Sequence, residues 1–276
     1  MNISDLTKYF VKDKNGIYIG EDKEEILYPE DGNEECYLIE DKSFWFEHRN
    51  KCIEAVIKKY PPVTYVVDVG GGNGYVAKGI INSGVDAILL EPGYMGALNA
   101  KTKRKIPIVI NTTFENIISK GDKFDAFGCF DVIEHIDDDK AMIDAMYESL
   151  DPGGYIYLTV PAHNWLWSES DDEAKHCRRY NKQMLESLFG DKFEIVYFTY
   201  FFNSLLLPIL LFRRLPYLIK SRKGSSLLSR SAEHGGSMSK GVKILNWLLG
   251  GEFKRISLFK SLSFGTSCLM VVRKPG

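Results

Sequence analysis

Cysteine is scarce in this sequence: there are five in 276 residues (Cys36, Cys52, Cys129, Cys177, Cys268), with no CxxC spacing. An odd, scattered set excludes a disulfide framework and a zinc knuckle. Long apolar runs are missing too. The most apolar segment, Leu205 to Phe212, is broken by Pro208. Even with Phe201 and Phe202 it falls short of the ~20 residues that cross a bilayer. No basic stretch followed by an apolar run opens the sequence, so no signal peptide is expected and a reducing, cytoplasmic setting is the simplest reading. Nor is there a basic excess. Lys plus Arg number 35 and Asp plus Glu 37, a net charge of −2. That balance argues against a dedicated nucleic-acid binder, and no DNA partner is expected.

The charge is unevenly placed. Residues 1–47 hold thirteen acidic and five basic side chains, whereas residues 201–264 hold eleven basic and two acidic ones. An acidic front and a basic back cancel on paper while making different surfaces.

Residues 1–42 are acidic and rich in turn formers, which predicts an irregular extension. From Ser43, a candidate N-cap, apolar residues recur at helical spacing up to Tyr60, and Pro61–Pro62 ends that helix. Strand and helix patterns then alternate. Strands are expected at 64–70, 86–91, 106–111, 123–130, 155–161, 193–200 and 267–274. Helices are expected at 75–83, 95–105, 138–150 and 182–188. Continuous β-rich runs such as TYVVDVG suit strands buried on both faces. The alternation predicts an α/β fold with a doubly wound, seven-stranded sheet. Residues 43–200 form the expected core and 267–276 its last strand and C-terminus. Residues 201–266 form a basic and apolar helical insertion, a lid or substrate module, with a Ser/Gly-rich tract at 224–241.

The strongest motif is VVDVGGGNGY (66–75), with glycines at 70, 72 and 74 between a buried strand and a helix. Glycine lets the backbone turn tightly and approach a ligand closely. Glu91, at the end of the second strand, is placed to accept ribose hydroxyls. The spacing is GxGxG; a dinucleotide fingerprint would require glycine at Tyr75.

With these residues the chain resembles the class I S-adenosylmethionine-dependent methyltransferases. Asp68 to Gly74 is similar to their first motif and Leu90-Glu91-Pro92 to their ribose motif. Phe130-Asp131-Val132-Ile133-Glu134-His135 resembles the fourth-strand motif, and Leu150 to Gly154 the turn before strand five. SFWFEHRN (43–50) and TVPAHNWLW (159–167) with HCRRY (176–180) are similar to a prokaryotic branch linked with polysaccharide or lipid-carrier metabolism. The resemblance implies S-adenosyl-L-methionine as cofactor and S-adenosyl-L-homocysteine as product. It places Asp68, Gly70, Gly71, Gly72, Asn73 and Gly74 around the methionine part and Glu91 and Pro92 at the ribose. Thr113 and Phe114 fall at the adenine, and Phe130, Asp131 and Val132 beside the methyl end. Arg49 would pair with the cofactor carboxylate or with the acidic extension.

Methyl transfer to a hydroxyl gains from a base near neutral pKa, which points to histidine. His135, His163 and His176 lie on loops at the carboxyl ends of strands four and five, and His176 is preferred as base. Trp165, Trp167, Arg178, Arg179 and Tyr180 are candidate acceptor-binding residues; the alternative is that His176 and Arg179 only tie the long loop to the core. Asp131, Glu134 and His135, with His163 or His176, resemble a metal-binding set of some small-RNA and quinone methyltransferases. The preferred reading is that Glu134 and His135 open a helix, so no metal is expected.

The expected activity is methyl transfer to a hydroxyl of a small-molecule, glycan- or lipid-linked acceptor. A cofactor-binding regulatory protein and an RNA methyltransferase are the alternatives. The apolar and basic residues 201–223 also suit peripheral contact with a membrane.

Overall fold

The computed structural model describes residues 6–20, 36–219 and 240–276. Residues 220–239, which take in all but the last two positions of the Ser/Gly-rich tract, and parts of the acidic extension, at 1–5 and 21–35, lie outside them. Each expected strand is present: β3 (Tyr65–Val69), β4 (Asp86–Leu90), β5 (Ile108–Asn111), β6 (Phe124–Phe130), β7 (Leu150–Pro161), β8 (Glu194–Phe201) and β9 (Ser267–Arg273). Two short strands precede them, β1 (Val11–Lys12) and β2 (Tyr18–Ile19). The sheet therefore has nine strands and not seven, in the order β1-β2-β5-β4-β3-β6-β7-β9-β8. The extension, expected to be irregular, supplies a hairpin whose β2 pairs in parallel with β5.

Period-two alternation explains how the strands serve two layers. Tyr65, Val67 and Val69 face one apolar cluster and Val66 the other. On β9, Cys268, Met270 and Val272 face the first cluster, and Leu269 and Val271 the second. The first is covered by α4 (Phe114–Ile118), α5 (Asp139–Ser149) and α7 (Lys182–Phe189). The second is covered by α1 (Phe44–Lys59), α2 (Tyr75–Asn82), α3 (Tyr94–Thr102) and α10 (Lys240–Ser257). Ser43 caps α1 as expected, its side chain accepting from Trp45 N–H at 3.2 Å.

The chain leaves β3 in one direction through β4 and β5, then returns to place β6 on the other side of β3. That reversal falls between β3 and β6, and the carboxyl ends of strands at such a point are the usual ligand position in these sheets. β9 is antiparallel to both β7 and β8, so β8 runs with the core strands and ends on the same edge. β7 begins at Leu150, not at residue 155, because Gly153 and Gly154 exchange hydrogen bonds with Lys274, at 2.9 Å each.

A short α6 (Glu169–Glu173) lies in the loop after β7. After β8 come α8 (Leu206–Ile209), a π-helical turn (Leu210–Arg214) and α9 (Leu215–Ile219). Glu252 of α10 fixes the start of this segment. Its carboxylate accepts from the backbone N–H of Phe202 and Asn203, both at 2.7 Å, and lies 2.7 Å from His48 Nε2 of α1. Among the described residues no helix is long and apolar enough to cross a membrane.

Candidate active site

The turn after β3 is built by its backbone. Gly70 and Gly71 N–H donate to Leu90 O at 2.8 and 3.2 Å, which binds the turn to the end of β4. A Cβ at Gly71 would lie 2.6 Å from Asp68 Oδ2 and 2.8 Å from Leu89 Cδ1, so packing requires glycine there. Gly72 differs. Its φ is +53°, and a Cβ would meet nothing within 4 Å. The fold leaves room at Gly72 that a side chain would fill, as a cradle for a ligand requires.

Two buried carboxyls border the cradle. Glu91 accepts from Gly72 N–H at 2.8 Å and Gly93 N–H at 2.7 Å. Burial raises its pKa to about 7 against those two bonds. Asp68 is likewise pushed up to about 7 by burial, opposed by the Arg49 charge and an Ala77 N–H bond. Its Oδ2 has no hydrogen-bond partner among the described residues. If Glu91 holds the ribose, as the resemblance implies, affinity for S-adenosylhomocysteine should fall as pH drops through about 7, because the protonated carboxyl loses acceptor capacity toward the diol. Glu91→Gln should bind more weakly and flatten that dependence in calorimetric titrations from pH 6 to 8. A wild-type affinity constant across that range would contradict the assignment.

The other sequence-expected cofactor residues divide. Asp131, at φ +57°, directly follows β6 and forms an ion pair with Arg49 Nη1. Among the described residues Arg49 is joined to Asp131, while Arg104 binds Glu40 and Asp41 of the extension. The Arg49 guanidinium also sits 4.7 Å from the Trp45 ring centroid. A Val132 methyl lies 3.0 Å from where a Gly70 Cβ would stand, so the β6 loop closes one side of the cradle. Phe130 belongs to the apolar cluster under α1. Asn73 is buried and accepts from Asn99 Nδ2 at 3.0 Å. Pro92 offers its carbonyl to Asn111 Nδ2 at 2.7 Å. Thr113 caps α4, accepting from Asn116 N–H, while Phe114 packs edge-on against Phe127.

The loop after β7 is organised by a residue that sequence reasoning missed. Asp171 is 1% exposed. It accepts from Arg179 Nε at 2.7 Å and Nη2 at 3.0 Å, from Ser168 N–H at 2.8 Å, and lies 2.9 Å from His176 Nδ1. Burial opposes its ionisation, but the hydrogen bonds from His176 and Arg179 and the Arg179 charge hold its pKa at about 2. The Ser168-x-x-Asp171 spacing, a capping box at α6, was the available signal.

This hub brings two of the three candidate histidines together. The His176 and His135 rings are 4.8 Å apart, edge to face. His135 is held below its ordinary pKa by burial and by His176. Burial and the nearby Asp131 push Glu134 well up, and its Oε2 has no partner among the described residues. Glu134 and His135 lie in a 3₁₀ turn (Ile133–His135), separate from α5. Glu134, His135 and His176 each offer a ligand atom within 4.8 Å of the others, a carboxylate and two imidazoles that suit a divalent cation. His163 is elsewhere, stacked between Trp165 and Tyr200 at 5.6 and 4.9 Å.

The expected acceptor-binding residues are mostly engaged within the protein. Arg178 binds Asp139 at 2.7 Å and two backbone carbonyls. Buried Tyr180 donates to Asp139 Oδ2 at 2.7 Å. Arg179 is taken up by Asp171 and the Ala162 carbonyl. Trp167 Nε1 donates to Asp172 at 2.8 Å, and Trp165 is 48% exposed.

A doubly wound sheet with a glycine turn at its reversal point and a buried carboxylate after the next strand is the arrangement that holds nucleoside cofactors. Residues 44–192 match the family model described as a methyltransferase domain, and the chain belongs to that family. It is 28% identical over 104 residues to a ubiquinone biosynthesis O-methyltransferase of Aliivibrio fischeri, covering 36% of this chain and 44% of that one. The match thus spans less than half the length of this curated relative. Among solved structures, the plantazolicin methyltransferase BamL, in complex with a triazolic desmethylPZN analog and S-adenosylhomocysteine, aligns with a TM-score of 0.54 at 15% identity. That alignment covers 90% of this chain and 92% of BamL. The N-methyltransferase NodS of Bradyrhizobium japonicum, also with S-adenosylhomocysteine, aligns with a TM-score of 0.51 at 11% identity over 86% and 90% of the two chains. At such identities the structures share the fold.

Proposed function

We propose that this chain transfers the methyl group of S-adenosylmethionine to a hydroxyl of a small-molecule, glycan- or lipid-linked acceptor. The observation that carries the reading is the Asp171–His176 pair, set beside the β6 loop that closes the cradle. The O-methyltransferase name of the curated relatives supports a hydroxyl acceptor. Residues 43–200 would act as the cofactor-binding core and 201–266 as a lid or substrate module.

S-adenosylmethionine, when bound, supplies an electrophilic methyl on a sulfonium. Gly70, Gly71 and Gly72 would hold its methionine part, Glu91 its ribose, and Arg49, exchanging with Asp131, its carboxylate. Asp171 stays anionic at neutral pH, fixes the Nδ1 side of His176 and leaves Nε2 to take the acceptor proton. A second reading rests on the donor set of Glu134, His135 and His176: a divalent cation there would bind and acidify the hydroxyl.

Labelled methyl transfer to a panel of hydroxyl acceptors tests the proposal. His176→Ala should lower turnover by about 10²–10⁴-fold with S-adenosylhomocysteine affinity unchanged. Activity abolished by chelator and restored by a divalent ion would favour the cation. Cofactor binding with transfer to no acceptor would leave a cofactor-binding regulatory protein.

A further inference from the structure

The segment leaving β8 carries its apolar residues on the outside. Leu207, Leu211, Leu215 and Leu218 recur at helical spacing along α8, the π turn and α9, and all are exposed. Phe212 and Ile219 beside them are 64% and 80% exposed. α10 repeats the pattern with Ile244, Trp247 and Leu248 at i, i+3 and i+4, Trp247 being 75% exposed. The inward residues Leu205, Leu249 and Ile256 already join the helices to the apolar cluster under α1. The outer stripe is therefore not needed to hold the helices in place, and it reverses the polar-out pattern of a surface helix.

Charge decides what covers it. Among the described residues of this region Lys254, Arg255 and Lys260 are exposed, and the acid there, Glu252, is buried against His48. A second copy would bring the same excess positive charge to its own apolar face. RNA would satisfy the charge but not the leucine, isoleucine and phenylalanine stripe. An anionic bilayer satisfies both, with apolar side chains entering the acyl boundary and basic ones meeting headgroups. We propose that this face docks on an anionic membrane surface.

The same segment is tied to the candidate active site. Arg214 Nη1 donates to Trp167 O at 2.8 Å and Tyr217 OH to Asp172 Oδ2 at 3.0 Å, both in the loop that carries Asp171 and His176. Phe202, at its start, stacks on Trp45 at 5.4 Å. Docking holds the mouth of the site at the bilayer. Where the methyl-transfer reading holds, on which this clause rests, the acceptor hydroxyl is carried by a lipid.

Cosedimentation of the full chain with vesicles tests the docking. The chain should pellet with phosphatidylcholine vesicles containing phosphatidylglycerol, less so as salt rises, and poorly with phosphatidylcholine alone. Leu218→Asp and Trp247→Asp should each weaken vesicle binding by about tenfold or more. S-adenosylhomocysteine affinity of both variants, measured in parallel, should equal that of the parent and reports folding. No recovery on anionic vesicles, or undiminished recovery of both variants, overturns the docking. So does a dimer or an RNA complex that these substitutions abolish in place of vesicle binding. Failure of the parent chain to bind S-adenosylhomocysteine would instead sink the methyl-transfer reading and leave the membrane result to stand alone.

Discussion

Gly72→Val should weaken S-adenosylhomocysteine binding by about 100-fold or more while costing the fold only about 1–2 kcal/mol. The asymmetry follows from what surrounds the residue. A Cβ at Gly72 meets nothing within 4 Å, so the cost to the fold is confined to a side chain at φ +53°. A valine there projects into the space the cradle leaves open. Gly71→Ala is the informative control. Its Cβ would collide with Asp68 and Leu89, so stability and binding should fall together. Calorimetric titration and denaturant unfolding separate the two cases. A Gly72→Val chain that binds like the parent would remove the cradle from the account.

Asp171→Ala should lower unfolding free energy by about 3–5 kcal/mol, because it leaves the buried Arg179 charge unpaired and removes the His176 partner. Methyl transfer should be lost with it, and Asp171→Asn should restore part of the stability. The pH dependence carries a sign. The folded pKa of about 2 lies below the ordinary value near 3.9, so the carboxylate stabilises above pH ~4 and that contribution disappears as pH falls toward 2. The variant should therefore lose less stability than the parent over that acid range. Asp68 and Glu91 act oppositely. Their folded values of about 7 mean that the stability they support at low pH is withdrawn as pH rises from about 4 to 7. Urea unfolding at stepped pH measures both limbs. An acid limb identical in parent and variant would show that Asp171 is not the hub.

What was readable in the sequence was what local pattern encodes. The β-rich run at 65–69 and the glycines at 70, 72 and 74 announce themselves within ten residues, and the strand–helix alternation follows from them. The β1–β2 hairpin was not readable, since two-residue strands carry no periodicity and β2 owes its place to β5. β7 starts early because residues more than a hundred positions later complete its ladder. At the site, the motif residues were legible but their partners were not. Arg49 reaches Asp131 across 82 positions and Glu252 reaches His48 across 204. The arginines and tyrosine of HCRRY looked available for an acceptor, yet Asp139 and Asp171 occupy them. Composition can show that charges exist in a segment. Only the packed chain shows which of them are already paired.

The position of the cofactor sulfur relative to His176 tests the central claim most directly. In a crystal structure of the complex with S-adenosylhomocysteine, the homocysteine should lie along Gly70 to Gly72 with the ribose on Glu91. Its sulfur should face the Glu134–His135–His176 cluster across a space that admits an acceptor hydroxyl. A sulfur turned away from His176, or sealed from it by protein, would contradict the account.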